Sequence, residues 1–278
     1  TIDGDFGPAT EKALRAFQKQ ARVPENGMTD AATWQALGPL VAYTKPEPDD
    51  PPEPAETKDP ADPLDGPPVV TCRAWILGDP ASGKILGSAD EDTPRDFAST
   101  TKIMTAYVVL RRAESEPALL DEIVTISTTA DETPGSTAGI RAGESLPLRE
   151  LLFGLMLPSG NDASVAIGEH LGVRCDPPAD VPKAPPLERF VAEMNRTAAA
   201  LGMTNTRYAN PHGLTHPDHQ ATVRDLFRLA SAALKQPLFR EIVSTRQHRT
   251  VLNGPGGYQR EAMWTNTNRL LNQEGFAG

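Results

Sequence analysis

Ser99 and Lys102 stand three residues apart in Phe97-Ala98-Ser99-Thr100-Thr101-Lys102-Ile103-Met104, where a loop turns into a helical pattern. On a helix that spacing puts a hydroxyl and an amine on one face, close enough to exchange a proton. The N-terminal end of the helix adds a positive field, which favours alkoxide character at Ser99 and the oxyanion of an attacked carbonyl. A lysine that is desolvated or placed near another cation has a lowered pKa, and its neutral amine can take the serine proton. Alone, the pair is a two-position pattern that occurs about once by chance in a chain of this length, and it reads as a helix cap beside a solvated lysine.

A second element gives the pair a context. Leu155-Met156-Leu157-Pro158-Ser159-Gly160-Asn161-Asp162 closes a hydrophobic helix with a proline loop that presents Ser159 and Asn161 just before another helix. A hydroxyl and an amide in that position can relay a proton and hold a carbonyl, although Ser, Gly and Asn are also ordinary capping residues.

The order Ser-x-x-Lys followed about sixty residues later by Ser-x-Asn resembles penicillin-binding proteins and serine β-lactamases. Ala98 to Thr105, Leu151 to Ala163, Met203 to Asn210, Asn210-Pro211-His212-Gly213-Leu214 and Thr265 to Leu271 together are similar to the serine D-alanyl-D-alanine carboxypeptidase family, over residues 68–278. The resemblance implies that Ser99 attacks the carbonyl between two terminal D-alanines of a peptidoglycan stem peptide, with Lys102 as base. It also implies that Ser159 returns the proton to the leaving D-alanine and that Asn161 orients the substrate amide and Lys102. β-Lactams would trap the acyl-enzyme, and no metal or organic cofactor is called for. The family's third element, Lys-Thr-Gly on a strand edge, occurs nowhere in the 278 residues, and Glu274 to Gly278 look like the text that precedes it. The expectation is that the chain as given stops short of that element, with its active site incomplete.

The elements that must position these residues can be read from periodicity. Val69 to Leu77 and Lys84 to Gly87 read as a β-hairpin around Gly78-Asp79-Pro80. Ser99 to Ala113, Leu148 to Leu155, Asp162 to Leu171 and Leu187 to Leu201 read as helices; Ile123 to Ile126, Arg249 to Leu252 and Glu261 to Thr265 read as extended. Strands at both ends with helices between them predict an α+β domain with a largely antiparallel sheet assembled from distant pieces, the β-lactamase/penicillin-binding-protein arrangement that the resemblance implies.

Ahead of this domain, Lys45 to Pro68 holds nine prolines and eight acidic residues in 24 positions. It is expected to be an extended, self-repelling spacer reaching up to about 75 Å. Before the spacer, Glu11 to Arg22 carries Ala13, Leu14, Phe17 and Ala21 on one helical face, and a second helix is expected over Asp30 to Leu37, capped by Thr29 or Asp30. Ile2 to Thr10, Ala16-Phe17-Gln18-Lys19, Gly27-Met28-Thr29-Asp30 and Thr33-Trp34 resemble the three-helix peptidoglycan-binding domain, its first helix lying upstream of Thr1, with Leu14, Phe17 and Trp34 read as core. The expected organisation is thus a wall-binding unit at 1–40, a linker at 41–68 and a catalytic domain at 69–278.

A formal charge of −10 counts against nucleic acid as a partner. No run of eighteen apolar residues offers a membrane span. An extracytoplasmic location is expected, with an export signal upstream of Thr1. His212, His216 and His219 fall within eight residues but are read as parts of a proline-broken loop rather than a metal site; Cys72 and Cys175 are open between free thiols and a bridge. Alternatives are a DD-endopeptidase or β-lactamase using the same apparatus, or a non-catalytic wall-binding or penicillin-sensing protein. Gly160, where many β-lactamases have Asp, and the wall-binding unit count against a β-lactamase.

Overall fold

The computed structural model describes residues 8–28, 30, 32–33, 36, 70 and 72–273, and the chain divides into two compact units, Thr1–Asp65 and Gly66–Gly278. The expected spacer, Thr29, Trp34 and Glu274 to Gly278 lie outside the described residues.

In the first unit, helix α1 (Pro8–Ala21) extends the predicted one toward its N-terminus. Leu14 and Phe17 are half-buried, and the most buried side chain on α1 is polar: Gln18 is fully enclosed. The two hydrogens of its amide nitrogen are shared among Asn26 Oδ1, Met28 O and Thr33 Oγ1, all at 2.8–2.9 Å, and its carbonyl accepts from Gly27 N–H at 2.9 Å. A buried amide satisfied on both ends fixes the following turn to the helix. Asp30 Oδ1 accepts from Thr33 N–H at 2.8 Å, the bond of the expected helix cap.

The second unit centres on helix α2 (Thr101–Ser115). Met104, Ala106, Tyr107, Val108, Val109 and Leu110 are all buried, so the helix is enclosed on every side. Around it pack α4 (Leu148–Met156), α5 (Asn161–Gly172), α6 (Pro186–Ala200), α7 (Val223–Ala233) and α8 (Pro237–Ser244). Helix α6 shows why such segments fold: Pro186 opens it, and Phe190, Met194, Thr197 and Ala198 recur on one buried stripe. Thr222 caps α7 by accepting from Asp225 N–H at 3.2 Å.

Four antiparallel strands form one sheet in the order β3 (Ile123–Thr125), β4 (Ser145–Pro147), β5 (Gln247–Asn253), β6 (Gln259–Thr265), with the short helix α3 (Thr128–Asp131) following β3. Strands β5 and β6 alternate, burying Thr250, Leu252, Ala262 and Trp264. Trp264 Nε1 donates to Ala138 O at 2.8 Å, and its ring lies so close to α4 that a Cβ on Gly154 would meet it at 3.0 Å.

The mixed fold with antiparallel pairing is as expected, with three local differences. The hairpin of β1 (Trp75–Asp79) and β2 (Lys84–Ala89) forms its own two-stranded sheet against α7. Among the described residues it starts at Trp75, later than expected, and keeps Gly78-Asp79 in the strand, where Phe227 fills the space a side chain at Gly78 would need. Helices α7 and α8 and strand β4 are additional to the expected elements: α7 carries Leu226, Leu229 and Ala233 at helical spacing with Arg224 and Arg228 on the opposite face, a legible signal that sequence reasoning passed over, whereas α8 and β4 are short. Cys72 is exposed and Cys175 buried, and both are free thiols.

Candidate active site

Ala98 to Thr100 form a single 3-10 turn that leads into α2, so Ser99 sits at the exposed mouth of the helix and Lys102 one turn below it, 2% exposed. Lys102 Nζ donates to Ser99 Oγ at 3.1 Å and to the carbonyl of His212 at 2.8 Å. Burial pulls the Lys102 pKa down to about 8, against an opposing pull from the Asp162 carboxylate. The loop that holds the second acceptor is self-braced. Asn210 Oδ1 accepts from the His212 and Gly213 amides at 3.2 and 2.6 Å, and Thr105 Oγ1 donates to Pro211 O at 2.7 Å.

Ser159 and Asn161 lie at the junction of α4 and α5. Leu157-Pro158 ends α4, and Thr267 N–H donates to Leu157 O at 3.1 Å, anchoring this loop from the segment after β6. Gly160 N–H then turns back to Gly154 O at 3.2 Å. The turn forces Ser159 to φ +62°, a left-handed conformation that costs a non-glycine residue about 1 kcal/mol or more and that clusters at functional sites. Gly160 has no room for a side chain, since a Cβ would lie 2.6 Å from Asp162 Oδ1 and 2.8 Å from Gly154 O. The Asn161 side chain, 4% exposed, donates to Pro134 O at 2.7 Å, and its backbone N–H donates to Ser136 O at 2.7 Å.

The four residues expected from sequence therefore divide into one bonded pair and one loop. Ser99 and Lys102 touch directly. Among the described residues no hydrogen bond joins Lys102 to Ser159 or Asn161, and the Asn161 amide is bound to the 134–136 loop rather than to the lysine.

Sequence reasoning passed over three participants. Asp162, 1% exposed at the start of α5, accepts from Ala138, Ile140 and Ala163 N–H and from Thr137 Oγ1, so it holds the 134–140 loop against the helix end. Its only signal was an acid in a helix's first turn. Thr101 and His219 meet at 2.8 Å, a pairing without a sequence signal because the two are 118 positions apart and His219 reads only as part of a loop. The histidines serve separate backbone amides: the Nδ1 atoms of His212, His216 and His219 accept from Leu214, Asp218 and Ala209 N–H. Among the described residues no three His, Cys, Asp or Glu side chains are placed to hold a metal.

An exposed hydroxyl above a buried, low-pKa amine at a helix N-terminus can attack a carbonyl and pass its proton inward. The chain is 35% identical over 173 residues to the D-alanyl-D-alanine carboxypeptidase DacC of Escherichia coli, covering 60% of this chain and 40% of that one. To the D-alanyl-D-alanine carboxypeptidase of Streptomyces sp. strain K15 it is 34% identical over 195 residues, covering 68% and 64%. It thus spans less than two thirds of the length of these curated relatives. The crystal structure of the Streptomyces K15 DD-transpeptidase superposes with a TM-score of 0.66 at 31% identity, covering 75% of this chain and 78% of that one. A peptidoglycan-binding domain model matches residues 1–37. A D-alanyl-D-alanine carboxypeptidase family model matches residues 63–278, and with most of its length inside that match the chain belongs to the D-alanyl-D-alanine carboxypeptidase family.

Proposed function

We propose that the protein is a serine DD-carboxypeptidase that trims peptidoglycan stem peptides, and the observation that carries this is the 3.1 Å contact between Ser99 Oγ and the buried Lys102 Nζ. With a pKa of about 8, roughly one Lys102 amine in ten is neutral at pH 7, against about one in three thousand for an ordinary lysine. The neutral amine accepts the Ser99 proton as Oγ bonds to the carbonyl carbon of the penultimate D-alanine. The C–N bond to the terminal D-alanine then breaks, and that amine leaves with a proton delivered through Ser159. Water hydrolyses the ester and restores Ser99. Asn161, fixed by Pro134 and Ser136, orients the substrate amide. A β-lactam would acylate Ser99 in the same way, its ring C–N bond opening without a departing fragment.

The division into a wall-binding unit at 1–40, a spacer at 41–68 and a catalytic domain at 69–278 completes the reading, with peptidoglycan as partner and an extracytoplasmic site of action. No described helix is long and apolar enough to cross a membrane. Binding the wall through the first unit would raise the local concentration of stem peptides.

The test is release of free D-alanine from a pentapeptide ending in D-Ala-D-Ala by the full-length protein, together with fluorescent-penicillin labelling that disappears in Ser99→Ala. Unlabelled full-length protein, or labelling that survives Ser99→Ala, would refute the assignment. The name of the Streptomyces K15 structure favours a second reading, in which an amine rather than water takes the acyl group. Adding an amino-acid acceptor to the same assay and measuring transfer product against hydrolysis separates the two.

A further inference from the structure

The residue before Ser99 is held in an unfavourable conformation. Ala98 has φ +45°, and its carbonyl is pressed against Gly213, where a Cβ would come within 2.0 Å of the oxygen. That carbonyl accepts from Thr101 N–H and from Thr101 Oγ1 at 2.7 Å. The Thr101 hydroxyl has thereby spent its proton, so the contact of 2.8 Å to His219 Nε2 requires His219 to be the donor. The far side of the ring agrees: His219 Nδ1 accepts from Ala209 N–H at 3.0 Å, which leaves the single imidazole proton on Nε2. Burial lowers the His219 pKa to about 4, keeping the ring neutral with that one tautomer. Thr101 is fully buried and His219 1% exposed, and the Phe97 ring stacks on the imidazole at 4.5 Å with an 8° tilt. Phe97 and Thr101, on either side of Ser99, are thus fastened to one imidazole from a distant loop.

We propose that His219 and Thr101 form a positioning relay, a directed chain of hydrogen bonds from the Ala209 amide through His219 Nε2–H and the Thr101 hydroxyl to the Ala98 carbonyl, which holds the strained turn and so keeps Ser99 Oγ over Lys102. Neither side chain is hydrogen-bonded to Ser99 Oγ or Lys102 Nζ, so both act through the backbone of the turn. The inference rests on Ser99 being the nucleophile. An unheld Ala98 would relax toward negative φ, swinging the following residue, and a small displacement of a nucleophile from its base costs rate much more than binding.

The experiment uses the full-length protein and fluorescent penicillin, resolving the penicillin dissociation constant from the acylation rate constant, with melting temperature measured in parallel. Thr101→Val removes both roles of the hydroxyl at nearly constant volume, Thr101→Ser keeps them, and His219→Leu removes the donor. Expected are a loss of roughly 10- to 100-fold in acylation rate for Thr101→Val with the dissociation constant unchanged, and rescue to within about threefold by Thr101→Ser. The double variant His219→Leu/Thr101→Val should be no slower than the slower single one, as for residues acting as a unit. Acylation by Thr101→Val at the wild-type rate, an equal loss in Thr101→Ser, or a lowered melting temperature with unchanged rate would each overturn the relay. Penicillin labelling that survives Ser99→Ala would instead remove the nucleophile assignment beneath it.

Discussion

Ser99 and Lys102 are bonded at 3.1 Å, yet they occupy opposite sides of the protein boundary, the hydroxyl open to solvent and the amine 2% exposed beneath it. The difference in environment gives each its task. Solvent access lets a carbonyl reach the oxygen, and desolvation lowers the affinity of the nitrogen for its proton. The first prediction follows from that amine.

Acylation by β-lactams should accelerate with pH through about 8, where Lys102 gives up its proton. Stopped-flow rates between pH 6 and 10 check this, and a flat profile would refute Lys102 as base. Lys102→Arg, which cannot deprotonate, should lose at least about a thousandfold in acylation. Stability obeys the same linkage. The folded lysine binds fewer protons than the unfolded one between about 8 and the ordinary value of 10.5, so its contribution becomes more favourable as pH rises through that window.

Asp162→Asn should do two separable things. One carboxylate oxygen would become an amide NH2 facing donors already committed to it, costing about 2–4 kcal/mol in urea unfolding. Removing the charge that supports protonated Lys102 should also shift the rising limb of the acylation profile toward lower pH. A limb that stays in place would mean that the carboxylate does not bear on the lysine.

Gly160→Ala should destabilise the domain by about 1–3 kcal/mol, because the added methyl meets the Gly154 carbonyl and the Asp162 carboxylate at under 3 Å. Urea titration measures it, and wild-type stability would show that the Ser159-Gly160-Asn161 turn can yield.

Gln18→Leu should unfold the first unit while leaving penicillin labelling intact. It strands the Gly27 N–H and the partners of the lost amide, at a cost of about 1–3 kcal/mol each when buried, which a unit this small cannot absorb. Sedimentation with insoluble peptidoglycan is the readout, and undiminished binding would place the interaction elsewhere.

Local signals made much of this protein legible. The i to i+3 spacing of Ser99 and Lys102 guarantees proximity on any helix, and Phe190, Met194 and Ala198 announce a buried face, because both are properties of one element's geometry. The alternation in β5 and β6 predicted the strands, and Pro158 marked the end of α4. The partners of the site were decided only by tertiary structure. Lys102 binds the His212 carbonyl, Asn161 the Pro134 carbonyl, Asp162 the amides of 138 and 140, and His219 the hydroxyl of Thr101. Most of these partners are main-chain atoms, which every residue carries, and they lie between 22 and 118 positions away, so neither residue type nor spacing could single them out. The sequence by itself determined which groups could react. Packing of the 134–140 and 210–219 loops against α2 and α5 decided their protonation and aim, because desolvation and hydrogen-bond direction exist only once distant segments close around them.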